Sequence, residues 1–272
     1  MMKIICSGSI ATEVGLEDNL RIISELGFKE MDLLLVTGWA HVGLDELVAD
    51  YAAVCGRIEG LLGKYGLSIA AVNAKYSVRL EDSGDEQRLQ RQRELDAMLR
   101  FMKDFGTIRA SIQPTLTNDT AYLEHTYKAF IEEAFRQQTY ASEHGMLLSL
   151  EPHIRSSVCT NAALTKLLGV HPTFQITYDP SHLLYSGEDI LSTGYLFPVS
   201  TMVHLRDARK GELFVLHGMG GLSLPFIISE LKKIGYDGPV SLEYLSGKWD
   251  GEVYDDLAKF AAEVNACISK PE

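Results

Sequence analysis

Short apolar runs alternate along this chain with longer segments in which apolar residues recur every three or four positions. The runs at residues 2–7, 31–36, 67–72, 108–112, 146–151, 173–179, 201–204 and 239–243 read as strands. The second, Met31-Asp-Leu-Leu-Leu-Val36, is almost uniformly apolar, as expected when helices cover both faces of a parallel sheet. Between the runs lie helical patterns at residues 17–26, 45–65, 84–105, 119–144, 161–168, 225–234 and 254–268. Gly27, Gly66 and Gly145 follow three of them, where a glycine readily takes the left-handed conformation that ends a helix. In the segment 84–105, Leu95, Met98, Leu99 and Met102 form one stripe at core spacing. Residues 188–196 are poorly patterned, and 211–222 read as a Gly-rich loop.

About eight strands alternating with about eight helical segments, at roughly thirty-residue spacing, is the pattern of a (β/α)8 TIM barrel. No linker or shift in composition divides the chain, so residues 1–272 are expected to form a single α/β domain. A doubly wound open sheet would bring a dinucleotide fingerprint, but Gly8 is not followed by Gly-x-Gly-x-x-Gly, and there is no P-loop.

Composition narrows the partners. The chain has 272 residues, 46% of them hydrophobic, enough for a sizeable core. A net charge of −12 repels polyanions at long range, so nucleic acid is disfavoured as the main ligand. The N-terminal residues lack the pattern of a secretory signal, and no run of about 18 apolar residues occurs, so a soluble, cytoplasmic protein with no membrane partner is expected. Cys6, Cys55, Cys159 and Cys267 are scattered, which points to free thiols rather than a disulfide framework or zinc knuckle.

Four of the strand-like runs finish on a potential metal ligand: Glu151, Asp179, His204 and Glu243. Parallel strands joined by right-handed crossovers place their C-terminal ends on one side of the sheet, and closure into a barrel lets these side chains converge at its mouth. Three carboxylates and one imidazole suit a divalent cation.

The motifs Glu151, Asp179-Pro-Ser-His182, His204-Leu-Arg-Asp207 and Gly235-Tyr-Asp-Gly-Pro-Val-Ser-Leu-Glu243 resemble the sugar phosphate isomerase/epimerase family. Its xylose-isomerase-like barrels include ketose 3-epimerases, hydroxypyruvate isomerase and inosose dehydratase. The Gly218 to Gly220 run also sits where that family has a Gly-x-Gly loop. The match spans about residues 146–244, while the N-terminal half shares only the rhythm.

The resemblance implies that Glu151, Asp179, His204 and Glu243 bind one divalent ion, with Mn, Mg or Co suiting the donor set and Zn also possible. It implies a sugar or sugar-phosphate substrate, a small molecule, and barrels that often pair as homo-oligomers. The implied reaction is isomerisation or epimerisation by proton abstraction next to a carbonyl through an enediolate, with Glu151 and Glu243 as the acid/base pair. His182 is the expected substrate contact, joined by His153 in Glu-Pro-His and by Arg209. Asp207 could hold His204 or another ligand in place, and a surface salt bridge would explain Asp207 and Arg209 equally well. Trp39 and His41, in the exit loop of the second strand, could wall the pocket or, for Trp39, pack in the core. His217 has no assigned role.

Endonuclease IV, a DNA-repair nuclease, shares this order of ligands. Its three-metal site needs further histidines at early strand ends and an Asp-x-His pair, whereas here the third and fourth strands are expected to end near Asn73 and Gln113 and no Asp-x-His follows His204. A metal-dependent dehydratase of the inosose type is the enzymatic alternative, and a non-catalytic carbohydrate-binding relative is the alternative outside catalysis.

Overall fold

The computed structural model describes residues 2–245 and 251–270. Eight parallel strands close into a barrel: β1 (Lys3–Ser7), β2 (Glu30–Val36), β3 (Ser68–Lys75), β4 (Arg109–Ile112), β5 (Leu147–Leu150), β6 (Ile176–Tyr178), β7 (Ser200–Leu205) and β10 (Pro239–Leu242). Around the ring, β1 pairs with both β2 and β10, so the two ends of the strand series meet. Closure leaves no sheet edge and brings every strand exit to one rim.

The intervening helices are α1 (Leu16–Glu25), α2 (Leu44–Ala49), α3 (Tyr51–Tyr65), α4 (Asp85–Asp104), α5 (Thr120–Glu143), α6 (Asn161–Val170), α7 (Pro180–Ser186), α8 (Leu224–Lys233) and α9 (Gly251–Ser269). The expected helix over 45–65 is two helices. Asp50 breaks the first and caps the second, accepting from the Ala53 N–H at 3.1 Å. The segment 188–196 is covered by two short 3-10 turns, Ile190–Ser192 and Gly194–Val199. The start of the Gly-rich loop is instead a hairpin, β8 (Asp207–Arg209) against β9 (Glu212–Val215).

Two cores hold this architecture. The large one fills the layer between barrel and helices, with Leu95, Met98, Leu99 and Met102 of α4 buried as their spacing requires. The small one plugs the barrel interior with Ile5, Ala71 and Met202. Inward-facing positions nearer the rim turn polar: Thr177 Oγ1 donates to Ser111 Oγ at 2.7 Å and lies 2.7 Å from Ser149 Oγ. Side chains alternate across a strand, so two residues further along, β5 and β6 deliver Glu151 and Asp179 to the same interior face at the rim. No helix among the described residues is long and apolar enough to cross a membrane.

Candidate metal centre

Four strand exits meet at the rim. One ligand atom from each of Glu151, Asp179, His204 and Glu243 lies within 4.8 Å of the others, and all four residues are buried. His204 Nδ1 stands 2.9 Å from Glu151 Oε1 and 3.2 Å from Glu243 Oε2. Local structure aims each group. Asp179 caps α7 with Pro180 at the first helical turn, and its Oδ1 accepts from Ser181 N (2.8 Å) and Ser181 Oγ (2.6 Å). Its other oxygen, Oδ2, is buried and accepts no hydrogen bond. Three carboxylates and an imidazole converging in a buried pocket, with one Asp179 oxygen outside any hydrogen bond, form a donor set that fits a divalent cation.

Arg206 was not singled out as a site residue by the motif, yet its guanidinium is fully inside. It lies 2.8 Å from Asp179 Oδ2, out of line for a hydrogen bond, and Nη1 donates to Glu243 Oε2 at 2.6 Å. Nη2 also lies 3.0 Å from His182 Nε2. This arginine supplies positive charge where three carboxylates converge. Burial alone would raise the Glu243 carboxyl, but the Arg206 and His204 cations outweigh it and hold Glu243 at about 2. For Asp179, burial wins over Arg206 and pushes the carboxyl up to about 6. Burial works against a charged His204, yet Glu243 and Glu151 raise the ring well above its ordinary value.

A further buried acid was missed by the sequence reading. Asp32 on β2 is inaccessible to solvent, accepts from Gly8 N at 3.2 Å and from the Ser241 hydroxyl, and lies 3.7 Å from His204 Nε2. Burial pushes its carboxyl up to about 6, against the pull of His204 and Ser241. The available signal was a lone acid inside the most apolar strand of the chain.

His153 and His182 stand together beside this centre, ring centroids 3.9 Å apart. Burial lowers both, and for His182 the charges of His153, Arg206 and His204 push further in the same direction. Both rings are therefore neutral near pH 7 and can hydrogen-bond without bringing charge.

Arg209 is not brought to the site. Its side chain projects to solvent from the hairpin β8–β9 and its Nε donates to Glu212 Oε1 at 2.7 Å, so the expectation that it contacts substrate is corrected: Arg206, three residues earlier and buried, takes the inner place. Asp207 does not hold His204 either. Its carboxylate accepts four backbone N–H groups, from Ala208 (2.9 Å), Gly218 (2.9 Å), Gly220 (3.0 Å) and Leu222 (3.0 Å), and so ties down the Gly-rich loop. A Cβ on Gly220 would collide with Ala208 O and Asp207 Oδ1, which explains the glycine. His217 fastens the same loop to α9 through Glu263 Oε2 at 2.8 Å. Trp39 is exposed rather than packed in the core, and His41 is half-buried near the same rim loop.

Residues 20–264 match the family model described as the xylose isomerase-like TIM barrel. The chain belongs to that family. Comparison with curated protein sequences finds no match. Among solved structures it is similar to 3-keto-D-glucoside 4-epimerase YcjR from E. coli, at 17% identity and TM-score 0.72, covering 96% of this chain and 100% of that one. It is also similar to the IOLI protein with a bound zinc atom (18% identity, TM-score 0.72, 98% of each chain). A xylose isomerase-like TIM barrel protein from Mycobacterium smegmatis in complex with magnesium gives 15% identity and TM-score 0.73, covering 98% of this chain and 97% of that one. At such identities these likenesses carry the fold, and the chemistry has to be argued from the residues.

Proposed function

We propose that this protein is a divalent-metal-dependent isomerase or epimerase of a small sugar or sugar derivative, working by proton abstraction next to a carbonyl. The observation that carries this reading is the convergence of Glu151, Asp179, His204 and Glu243 to within 4.8 Å at the barrel rim. A divalent cation held by those four residues would supply positive charge beside the substrate's carbonyl oxygen, lowering the barrier to removing the adjacent proton. Mn, Mg and Co suit the donor set, and similar folds are known with zinc and with magnesium.

The chain's own residues divide the remaining work. Glu151 and Glu243 flank His204 from β5 and β10, and β6 and β7 separate those strands around the barrel, so the two carboxylates reach the centre from different directions. One takes the proton from carbon and the other returns it. Delivery to the opposite face of the same carbon is epimerisation; delivery to the neighbouring carbon is isomerisation. Glu243, held ionised by Arg206 and His204, is in the charge state that a base needs across the neutral range. Neutral His153 has its Nε2 free to hydrogen-bond a substrate hydroxyl, while His182, faced by Ile154 N–H and Arg206, packs against its ring.

The test is incubation of the metal-loaded protein with a panel of ketoses, inososes and sugar acids in deuterated water. Deuterium at a carbon next to the carbonyl with retention of all hydroxyls supports the reading. Loss of water from the labelled product would indicate dehydration instead, and no label from any member with metal bound would refute it.

A further inference from the structure

The β3 strand runs to Lys75, two residues past the Asn73 at which the sequence reading ended it. Asn73 pairs with Ser111, and Ser111 with Ser149. Two residues beyond each of these, on the same faces, come Lys75, Gln113 and Glu151. The level is kept by backbone bonds: Gln113 N donates to Ala74 O at 2.9 Å and Glu151 N to Ile112 O at 3.0 Å. Lys75 and Gln113 therefore belong to the same rim layer as Glu151. Adjacent strands lie about 4.8 Å apart, so the Lys75 backbone stands roughly 10 Å from that of Glu151.

Lys75 and Gln113 also line a cavity of about 280 Å³ between the β3 and β4 exits, together with Arg79 and Thr115. Both residues are half-buried with polar ends that keep solvent access, and neither the Lys75 ammonium nor the Gln113 amide has a protein hydrogen-bond or ion-pair partner among the described residues. No protein group occupies either of them, so both are free to meet a ligand that enters the cavity. The other polar groups nearby are engaged. The Arg79 guanidinium lies over the Tyr122 ring, 4.9 Å from its centroid, and Glu81 accepts from Thr115 and Tyr122 hydroxyls, each at 2.8 Å.

We propose that Lys75 and Gln113 form a subsite for a terminal carboxylate of the substrate, at the end remote from the metal ligands, so that this protein acts on a sugar acid. One ammonium and one primary amide match the single charge and two oxygens of a carboxylate. A phosphate dianion would bring a second negative charge into a protein of net charge −12, next to Glu81, which accepts from the lining residue Thr115. The span from Glu151 to Lys75 suits an extended five- or six-carbon chain whose carbonyl end lies at the metal ligands. The assignment rests on the proposed chemistry only for placing the carbonyl end at the metal ligands.

Calorimetric titration of the full-length protein, Mg²⁺-loaded and metal-free, with gluconate, sorbitol and sorbitol 6-phosphate compares three end groups on one six-carbon chain. Gluconate is expected to bind at least about tenfold tighter than sorbitol in both forms. Lys75→Gln should bring gluconate to the level of sorbitol, Gln113→Glu should weaken it about tenfold, and Lys75→Arg, which retains the charge, should preserve binding and show that the fold tolerates change there. Wild-type gluconate affinity in Lys75→Gln would overturn the subsite, and tighter binding of sorbitol 6-phosphate would overturn the choice of a carboxylate. Because the metal-free arm needs no turnover, either result can be told apart from failure of the proposed chemistry.

Discussion

Metal binding at this centre should release protons in an amount that the geometry fixes. A ligand must be deprotonated to donate its lone pair. His204 sits between Glu151 and Glu243, which raise it well above its ordinary value, so in the metal-free protein it carries its proton throughout the neutral range. Asp179, pushed up to about 6, is half protonated at pH 6. Glu243, held at about 2, contributes nothing. Binding of one Mn²⁺ should then release at least about one proton across the neutral range, more at pH 6 than at pH 7, and the dissociation constant should fall at least about tenfold between those two pH values. Calorimetric titration in two buffers of different ionisation enthalpy at each pH counts the protons directly. Tight binding with fewer than about half a proton released at pH 7 would refute the assignment of His204 as a ligand that starts out protonated.

Four further outcomes follow from the same geometry. Glu151→Gln and Glu243→Gln should each abolish turnover, measured as deuterium exchange into substrate; full activity in either would remove that residue from the acid/base pair. Arg206→Met takes away the cation that a metal must share Asp179 and Glu243 with, so it should tighten Mn²⁺ binding about tenfold or more while lowering the melting temperature of the metal-free protein, where two buried carboxylates lose their partner. Asp32→Asn should raise the metal-free melting temperature at pH 7.5 and change it little at pH 4. The Asp32 carboxyl is raised on folding to about 6, so the native state is favoured below the ordinary carboxylate value and loses that advantage as pH climbs through 6, a loss a non-ionising amide does not suffer. Asp207→Asn replaces an acceptor of four N–H groups by a side chain with only one acceptor atom, which should destabilise the fold by about 2–4 kcal/mol in denaturant titration, given the cost of unsatisfied buried donors.

The barrel was legible because its signal is local and repeated: buried strands read as continuous apolar runs, and glycines mark several helix ends. The quartet was legible for a related reason, since each ligand follows directly on a strand and parallel topology brings strand exits together. What escaped depends on contacts distant in sequence. Arg206 and Arg209 look alike in the motif, yet one is buried between Asp179 and Glu243 and the other pairs with Glu212 on a hairpin that the Gly-rich reading concealed. Asp207, next to His204 in sequence, turns away to bind a loop eleven to fifteen residues on. The helix Pro180–Ser186 escaped because only its first residues, in the Asp179-Pro-Ser-His182 motif, drew attention as possible ligands, although Asp-Pro is also a helix cap followed by a first-turn proline. Lys75 was lost because the run Ala70 to Lys75 grows polar toward its end, and pairing with β2 extends the strand beyond the apolar pattern.

The most direct test of the account is anomalous diffraction from crystals of the full chain soaked in Mn²⁺ near neutral pH. One strong peak within about 2–2.4 Å of an oxygen from each of Glu151, Asp179 and Glu243 and of a ring nitrogen of His204 is the predicted result. An absent peak, or one located elsewhere while Arg206 still bridges Asp179 and Glu243, would contradict the metal centre and the proton-transfer chemistry built on it.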